Sequence, residues 1–471
     1  MTTRSWLAPL LLALASACSE GAGPPDAAAG GAMMTTSAGA GAGGSSSPTA
    51  GQPAAAGTGG ALPAGGGPGT AGSAGSGGSG SGSGGGAGES SAAGASSAGS
   101  SGEPYWVGTW ATGNQVTEPD NLPPEPGLAN ATLRQIVRVS IGGRKLRLKI
   151  SNEYGTSPVT LSGVHVAKAG TGSAIDTTTD VALTFAGSPS VTIPAQMTAT
   201  SDPFDFVLDP LGKLALTIAF GAQSGDVTGH PGSRTTSYLQ AGNQLSAPAL
   251  SGATTDHWYF ISAIDVMAEA PAGAVAILGD SITDGRGSTT NGNDRWPDRL
   301  AERLQADPLK RHIAVLNLGI GGNAVTMAGL GPTALARFKT QILGQSGVRW
   351  VVVLEGINDV GTGVSTSALT TALQTLIEQA HAVSLPIYGV PLLPFAGNTM
   401  YDSPANQQVR SEVNAWIREP GHFDRALPLD EAVSDGKAPP ALQTAYDSGD
   451  FLHLNPAGYE RLAGALDLSV F

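Results

Sequence analysis

The chain has 471 residues, enough for more than one domain, with a formal net charge of −13 and a pI near 4.9. This acidity argues against nucleic acids and anionic membrane surfaces as partners, because both repel a negative chain. The one cysteine, Cys18, excludes an internal disulfide and a cysteine-based zinc cluster.

The first residues have the pattern of an export signal. Arg4 supplies a positive start, residues 6–15 are mainly apolar, and small residues precede Cys18. We therefore predict a signal peptide over residues 1–18. Cys18 stands where a bacterial lipoprotein carries its acylated cysteine, although Leu14 lies one position upstream of the usual place. The protein is expected to be a cell-surface or outer-membrane lipoprotein, attached to membrane only through that lipid, or else a free extracellular protein.

Residues 19–103 are dominated by Gly, Ser, Ala and Pro, as in "GSGGSGSGSGGGAGESS". A segment with so little apolar surface cannot offset the conformational entropy lost on folding. We predict a disordered linker, which lets a folded unit reach away from its anchor.

From residue 104 to residue 266, apolar residues recur at alternate positions. In "VRVSIGGRKLRLKI", the alternation begins at Val137, is interrupted at Gly142-Gly143, and resumes at Leu146. Period two predicts strands with one buried face, and the glycine pair predicts a tight hairpin turn between them. Further short apolar runs, separated by turn residues, indicate an all-β sandwich of jelly-roll type.

Between residues 267 and 471, continuous apolar runs alternate with amphipathic stretches. The predicted strands are 274–278, 313–318, 350–354 and 387–392, and the predicted helices are 296–305, 332–343, 366–383, 406–417 and 456–466. Strands that are apolar on both faces indicate a parallel sheet covered by helices on both sides. Active sites in such folds lie beyond the carboxyl ends of the strands.

Three polar motifs follow predicted strands, and a fourth stands before the last predicted helix. They are Gly279-Asp280-Ser281, "NLGIGGN" at 317–323, "EGIND" at 355–359, and "DSGDFLHLNPAGY" before the last helix. A serine hydroxyl needs a base to become a nucleophile, and His453 is suitable because imidazole titrates near neutrality. Asp450 is a candidate to orient the ring, with Asp447 as the alternative acid.

Acyl transfer also needs donors for the oxyanion of the tetrahedral intermediate. The backbone N–H groups of Ser281 and Gly322 and the side-chain amide of Asn358 are the candidates. Asp280 and Asp359 are predicted to brace their loops rather than to react.

Each motif has a plainer interpretation when taken alone, because Gly-Asp-Ser after a strand is usually a turn and Asp-x-x-His occurs by chance. Their joint occurrence at strand ends favours catalysis. "GIGGNA" at 319–324 also fits a dinucleotide-binding loop, but the next acid, Glu355, is too far along the chain to hold a ribose. The other histidines are interpreted as structural; of these, His230 stands in a polar loop that is a candidate to overhang the active site.

These four blocks, in this order, resemble those of the GDSL/SGNH hydrolases over residues 274–466. The resemblance implies a three-layer flavodoxin-like α/β domain with Ser281 as nucleophile and Asp450 and His453 as its partners. It also implies Gly322 and Asn358 as oxyanion donors. The phrases "GDSITDGRGSTT", "RWPD", "VLEGIND" and "AYDSGDFLHLNPAGY" are similar to a bacterial two-domain, acetylxylan esterase-like branch, in which a β-rich domain beginning "WVGTWAT" precedes the hydrolase.

We therefore expect an exported serine esterase that forms an acyl-Ser281 intermediate and uses neither a metal nor an organic cofactor. The resemblance favours acetylated polysaccharide such as xylan as the substrate. A short-chain acyl or aryl esterase and a lipase are alternatives within the same chemistry. A carbohydrate-binding surface protein with an inactive hydrolase domain is the alternative from another class, and the β-sandwich either binds sugar or supports the active site.

Overall fold

The computed structural model describes residues 103–327 and 329–471. The predicted signal peptide, Cys18 and nearly all of the predicted linker lie outside these ranges. Within them, no helix is both long enough and apolar enough to cross a membrane.

The first part of the described chain is built from antiparallel strands. They are β1 (Tyr105–Ala111), β2 (Gln115–Val116), β3 (Ala131–Arg138), β4 (Gly143–Ser151), β5 (Val159–Lys168), β6 (Val181–Ala182), β7 (Val191–Ile193), β8 (Thr198–Thr200), β9 (Phe204–Leu208), β10 (Lys213–Phe220), β11 (Thr228–His230), β12 (Ser237–Ala241), β13 (Ala253–Thr255), β14 (Trp258–Tyr259) and β15 (Ile261–Ala268). One sheet has the order β1-β15-β4-β8, with β9 also paired to β4, and a second has the order β13-β12-β3-β10-β5-β6, with β7 also paired to β5. A small third sheet has the order β14-β11-β2.

Alternating side chains give these sheets their buried faces. In β4, Leu146, Leu148 and Ile150 are buried while Arg147 and Lys149 are only partly covered. Successive residues of a strand point to opposite faces, so this alternation places one row of apolar groups in the core. The expectation of a strand-rich N-terminal region is confirmed.

The predicted hairpin at Gly142-Gly143 is wrong. Strand β3 pairs with β10 and β12, whereas β4 pairs with β15, β8 and β9, so the chain passes from one sheet to another at the glycines. Neither glycine has a positive φ. A Cβ atom on Gly142 would lie 2.4 Å from the carbonyl oxygen of Leu208, and one on Gly143 would lie 2.9 Å from Cβ of Val266. The glycines therefore allow two segments of the chain to approach closely, and they do not reverse the direction of the chain.

The second part contains five parallel strands. They are β16 (Gly273–Gly279), β17 (Ile313–Gly319), β18 (Val348–Leu354), β19 (Ile387–Gly389) and β20 (Arg425–Ala426). Their order, β17-β16-β18-β19-β20, is the 2-1-3-4-5 order of a flavodoxin-like sheet. The expected α/β domain with a parallel sheet is confirmed.

Helices connect these strands. They are α1 (Ser281–Asp284), α2 (Trp296–Ala306), α3 (Ala334–Arg337), α4 (Ile357–Gly361), α5 (Thr366–His381), α6 (Pro404–Arg418), α7 (Leu429–Val433) and α8 (Pro456–Ala465). The predicted helix at 332–343 is divided, because α3 is followed by a π-helical segment, Phe338–Leu343. Strand β19 ends before the predicted residue 392, since the Leu392 N–H donates to the Asn414 side chain instead of to a strand.

The antiparallel part packs directly on the parallel sheet. The Gly108 N–H donates to the Ser346 carbonyl at 2.8 Å, and the Val315 N–H donates to the Ser140 hydroxyl at 3.1 Å. Apolar side chains of both parts belong to one continuous buried core. The β-rich part is thus a neighbour of the strands that carry the polar motifs.

Candidate active site

A sharp strand-to-helix turn presents Ser281. Strand β16 ends at Gly279 and α1 begins at Ser281, so the serine lies beyond the carboxyl end of the strand. Asp280 caps the helix by accepting the Ile282 N–H at 2.9 Å. A Cβ atom on Gly279 would lie 2.1 Å from the Thr283 hydroxyl oxygen, so only glycine fits at this turn.

A chain of hydrogen bonds links the three residues predicted to act together. Oγ of Ser281 lies 2.8 Å from Nε2 of His453, and Nδ1 of the same ring lies 2.6 Å from Oδ2 of Asp450. Both partners of the serine lie on the loop before α8, which is capped by Asn455. Parts of the chain 172 residues apart therefore meet at one point.

The structure separates the two candidate acids. Oδ1 of Asp447 accepts the backbone N–H groups of Gly449 and Phe451 at 2.9 and 3.0 Å. Within the described chain, no hydrogen bond joins the Asp447 carboxylate to His453. Asp447 braces the loop, whereas Asp450 contacts the ring.

The surroundings of His453 favour a neutral imidazole. Burial lowers its pKa, the hydrogen bond to Asp450 opposes that change, and the nearby Arg286 and Arg234 guanidinium groups lower the pKa further. Burial alone would raise the pKa of Asp450, but the hydrogen bonds that it accepts from His453 hold the pKa below its ordinary value. A neutral ring beside an ionised carboxylate is the state that can accept the serine proton.

The three candidate oxyanion donors line one cleft of about 350 Å³, together with His453. The Asn358 amide donates one hydrogen to the Asn323 carbonyl at 2.6 Å and accepts the Tyr401 hydroxyl at 2.6 Å, which leaves its second hydrogen for a ligand. Among the described residues, the backbone N–H groups of Ser281 and Gly322 donate to no protein acceptor. Gly322 has a φ of +70°, a conformation that favours glycine.

Arg337 forms hydrogen bonds to the ends of strands β16 and β17. This residue was not identified from the sequence. Its side chain is buried and donates to the Asn323 side chain at 2.9 Å, the Leu318 carbonyl at 2.6 Å and the Gly279 carbonyl at 3.0 Å. A Glu355 oxygen lies 3.7 Å from the same guanidinium group. Nothing in the sequence marks this arginine, because it stands inside a helical stretch away from every motif.

Buried carboxyl groups surround Arg337. Burial raises the pKa of Asp280 to about 7 and the pKa of Glu355 well above its ordinary value. Burial also raises the pKa of Asp359, whose carboxylate braces the next loop by accepting the Val325 and Thr326 N–H groups at 2.8 and 2.9 Å. Burial therefore disfavours the charged form of each of these carboxyl groups.

The cleft wall contains two residues to which the sequence analysis gave no role. Phe451 and Met400 line it with 46% and 50% of their surface exposed. Phe451 has a φ of +60°, which is unfavourable for a bulky side chain and is held by the contacts of the catalytic-loop backbone with Asp447 and Asn398. Phe451 therefore lines the same cleft as His453 with its backbone in an unfavourable conformation.

The expectation that the His230 loop overhangs the active site is wrong for His230 itself. Its side chain is 4% exposed and does not line the cleft. It contacts the Gly113 carbonyl and Asp284 instead. Other histidines form hydrogen bonds away from the cleft, such as His165 with Asp180 at 2.9 Å.

Residues 277–461 match the model of the GDSL-like lipase/acylhydrolase family. The chain contains a GDSL-like lipase/acylhydrolase domain. The predicted family is confirmed, and the domain is a carboxylic ester hydrolase. Ser281, Gly322, Asn358, Asp450 and His453 all lie inside the matched residues.

Several solved structures are similar to part of this chain. A lipolytic protein of the G-D-S-L family from Desulfitobacterium hafniense DCB-2 is 18% identical, with a TM-score of 0.33, over 41% of this chain and 96% of that one. A GDSL-like lipase from Bacteroides thetaiotaomicron VPI-5482 is 20% identical, with a TM-score of 0.32, over 41% and 84%. A catalytic mutant of an acetylxylan esterase from Geobacillus stearothermophilus is 22% identical, with a TM-score of 0.32, over 41% and 91%. A search of the curated proteins finds no match.

Proposed function

We propose that the protein is an exported serine esterase that removes O-acetyl groups from polysaccharide. The observation that carries the chemistry is the hydrogen-bonded series Ser281–His453–Asp450 at the wall of an open cleft. The family assignment supplies ester hydrolysis as the reaction class.

The mechanism follows from the contacts. His453 accepts the Ser281 proton as Oγ attacks the ester carbonyl, and the N–H groups of Ser281, Gly322 and Asn358 stabilise the oxyanion. His453 then gives the proton to the leaving alcohol, and the acyl group remains on Ser281. Water, deprotonated by His453, attacks this acyl-enzyme, and breakdown of the second tetrahedral intermediate releases the acid and restores the serine.

The lining of the cleft supports the binding of a sugar ester. It combines polar residues and glycines with Met400, Tyr401, Phe451 and Leu452, and most of its exposed surface is apolar. A sugar needs polar contacts and an aromatic face, and the exposed Phe451 ring offers that face next to His453.

There are three alternatives to this assignment. An aryl or short-chain acyl esterase is favoured by the exposed Phe451 and Met400, which suit an apolar leaving group. A lipase is also compatible with the lining, because most of its exposed surface is apolar. A carbohydrate-binding protein with an inactive hydrolase domain is disfavoured by the 2.8 Å contact between Ser281 and His453, which binding does not need.

A fluorophosphonate probe tests the chemistry. We expect it to label Ser281 in the full chain, with the label lost in Ser281→Ala and kept in Ser288→Ala, a matched variant of a serine outside the cleft. Absence of labelling in the unaltered protein would favour the binding alternative.

Acetate release tests the substrate. The panel consists of acetylated xylan, acetylated pectin, chitin and simple aryl and alkyl acetates. We expect faster release from an acetylated polysaccharide than from alkyl acetates at equal ester concentration. Hydrolysis of simple esters alone would leave esterase chemistry intact and overturn the polysaccharide assignment.

Export and lipid attachment are part of the proposal and are supported by the pattern of residues 1–18. Cells that express the full chain and incorporate a labelled fatty acid should yield a labelled protein. The Cys18→Ala variant should lose the label, whereas equal labelling of both would exclude acylation at this residue.

A further inference from the structure

A buried contact joins the β-rich part to the turn that carries the candidate nucleophile. His230 ends β11, and its Nε2 lies 2.9 Å from Oδ1 of Asp284. The two side chains are 4% and 2% exposed. The other ring nitrogen, Nδ1, lies 2.8 Å from the Gly113 carbonyl oxygen.

Asp284 is the last residue of α1, the helix that begins at Ser281. A helix of one turn has few hydrogen bonds of its own, so its position depends on contacts from outside. Oδ2 of Asp284 has no hydrogen-bond partner within the described residues, and Oδ1 contacts His230. The histidine is therefore the group that holds this carboxylate.

His230 is itself firmly placed. The Gly113 carbonyl can only accept, so Nδ1 donates to it, and Nε2 lies 2.9 Å from Oδ1 of Asp284. Its ring also stacks on Trp258, with centroids 5.7 Å apart and planes 27° apart.

We infer that the β-rich part acts in the reaction by positioning the nucleophile, with His230 holding α1 through Asp284 so that Ser281 keeps its contact with His453. This inference rests on the proposed function, since the role of Ser281 is part of it. His230 is a positioning residue, because it does not line the cleft. The β-rich part is then a component of the active site's support, whether or not it also binds sugar.

Gly232→Ala tests the contact by steric displacement. A Cβ atom at this position would lie 1.8 Å from Oδ2 of Asp284, and the residue has no positive φ that an alanine would strain. The variant removes no hydrogen-bonding group, but it pushes the carboxylate away from His230. We expect kcat for p-nitrophenyl acetate and the rate of fluorophosphonate labelling to fall about 10- to 100-fold, with KM changed less than about twofold.

Two histidine variants test the same contact chemically. His230→Ala should show a comparable loss of kcat, and His230→Gln should recover part of it, because a glutamine amide can donate to Asp284. Should His230→Ala fail to fold, Gly232→Ala and His230→Gln decide the matter. Folded variants with kcat equal to that of the unaltered protein would overturn the inference.

Arg138→Gln is the matched control. Arg138 forms a 2.9 Å ion pair with Glu302, which joins the same two parts of the chain but ends on α2 rather than α1. We expect the unfolding temperature of Arg138→Gln to fall, while its kcat stays within about twofold of that of the unaltered protein. An equal loss of kcat in this variant would show a general effect of the interface and would also overturn the inference. Turnover that survives Ser281→Ala would instead refute the proposed function.

Discussion

Both carboxylate oxygens of Asp450 contact His453, since Oδ2 lies 2.6 Å from Nδ1 of the ring and Oδ1 accepts the backbone N–H at 2.8 Å. The carboxylate thereby fixes the ring and the chain that carries it. This double contact sets which nitrogen carries the hydrogen and points the other at Ser281.

Asp450→Asn should therefore lower kcat by about 10³- to 10⁴-fold, because an amide can favour the wrong imidazole tautomer. Asp447→Asn is the matched control, and we expect it to lower the unfolding temperature while reducing kcat less than about tenfold, since Asp447 braces only the loop. Steady-state kinetics and thermal unfolding measure both. The reverse ranking would make Asp447 the orienting acid.

His453→Ala should lower the turnover of p-nitrophenyl acetate by at least about 10³-fold, because Ser281 loses its base. The turnover of the double variant Ser281→Ala/His453→Ala should lie within about threefold of that of either single variant, since the two residues act as one unit. Additive losses, or a His453→Ala rate like that of the unaltered protein, would contradict the mechanism.

Asn358→Ala should lower kcat by about 10²- to 10³-fold with little change in KM, because the lost donor acts mainly in the transition state. Tyr401→Phe keeps Asn358 but removes the hydroxyl that donates to its Oδ1 at 2.6 Å. We expect a smaller loss, about tenfold, from poorer orientation of the amide. A larger loss in Tyr401→Phe than in Asn358→Ala would argue against Asn358 as the donor.

The pH dependence of kcat/KM should show an acid limb with a midpoint below about 6.5, the ordinary value for histidine. The protonated ring is inactive, and burial lowers the pKa of His453, so the active neutral form persists to lower pH. Arg286→Gln removes a nearby positive charge and should move the limb to higher pH. Lys145→Gln, which changes a surface ion pair with Asp205, is the charge-matched control and should leave the midpoint in place.

Phe451→Ala should raise KM for acetylated xylan about tenfold and leave kcat for methyl acetate within about twofold, because the ring is proposed to contact the sugar and not the ester carbon. Phe451→Tyr keeps the aromatic face and should stay within about threefold of the unaltered KM. Equal KM values for all three proteins would remove Phe451 from the sugar-binding surface.

The predicted parallel sheet followed from sequence because a doubly covered strand must be apolar on both faces, a property visible in residues 274–278 alone. The position of Ser281 at the carboxyl edge of the sheet also followed from this pattern. His453 follows no predicted strand, so its approach to Ser281 was implied only by the family resemblance. Asp450 and His453 stand three residues apart on one loop, so their contact is local.

The sequence pattern did not predict which strands pair with each other. Period two in β3 and β4 predicted strands correctly, but it contains no information about partners, and the two strands belong to different sheets.

Arg337 and the His230–Asp284 pair gain their roles only when packing buries them beside groups far along the chain, and His230 and Asp284 are 54 residues apart. The amino-acid order therefore determined the strands and the reacting groups. The tertiary structure decided what holds those groups in place, because burial and long-range hydrogen bonds exist only after the chain has folded.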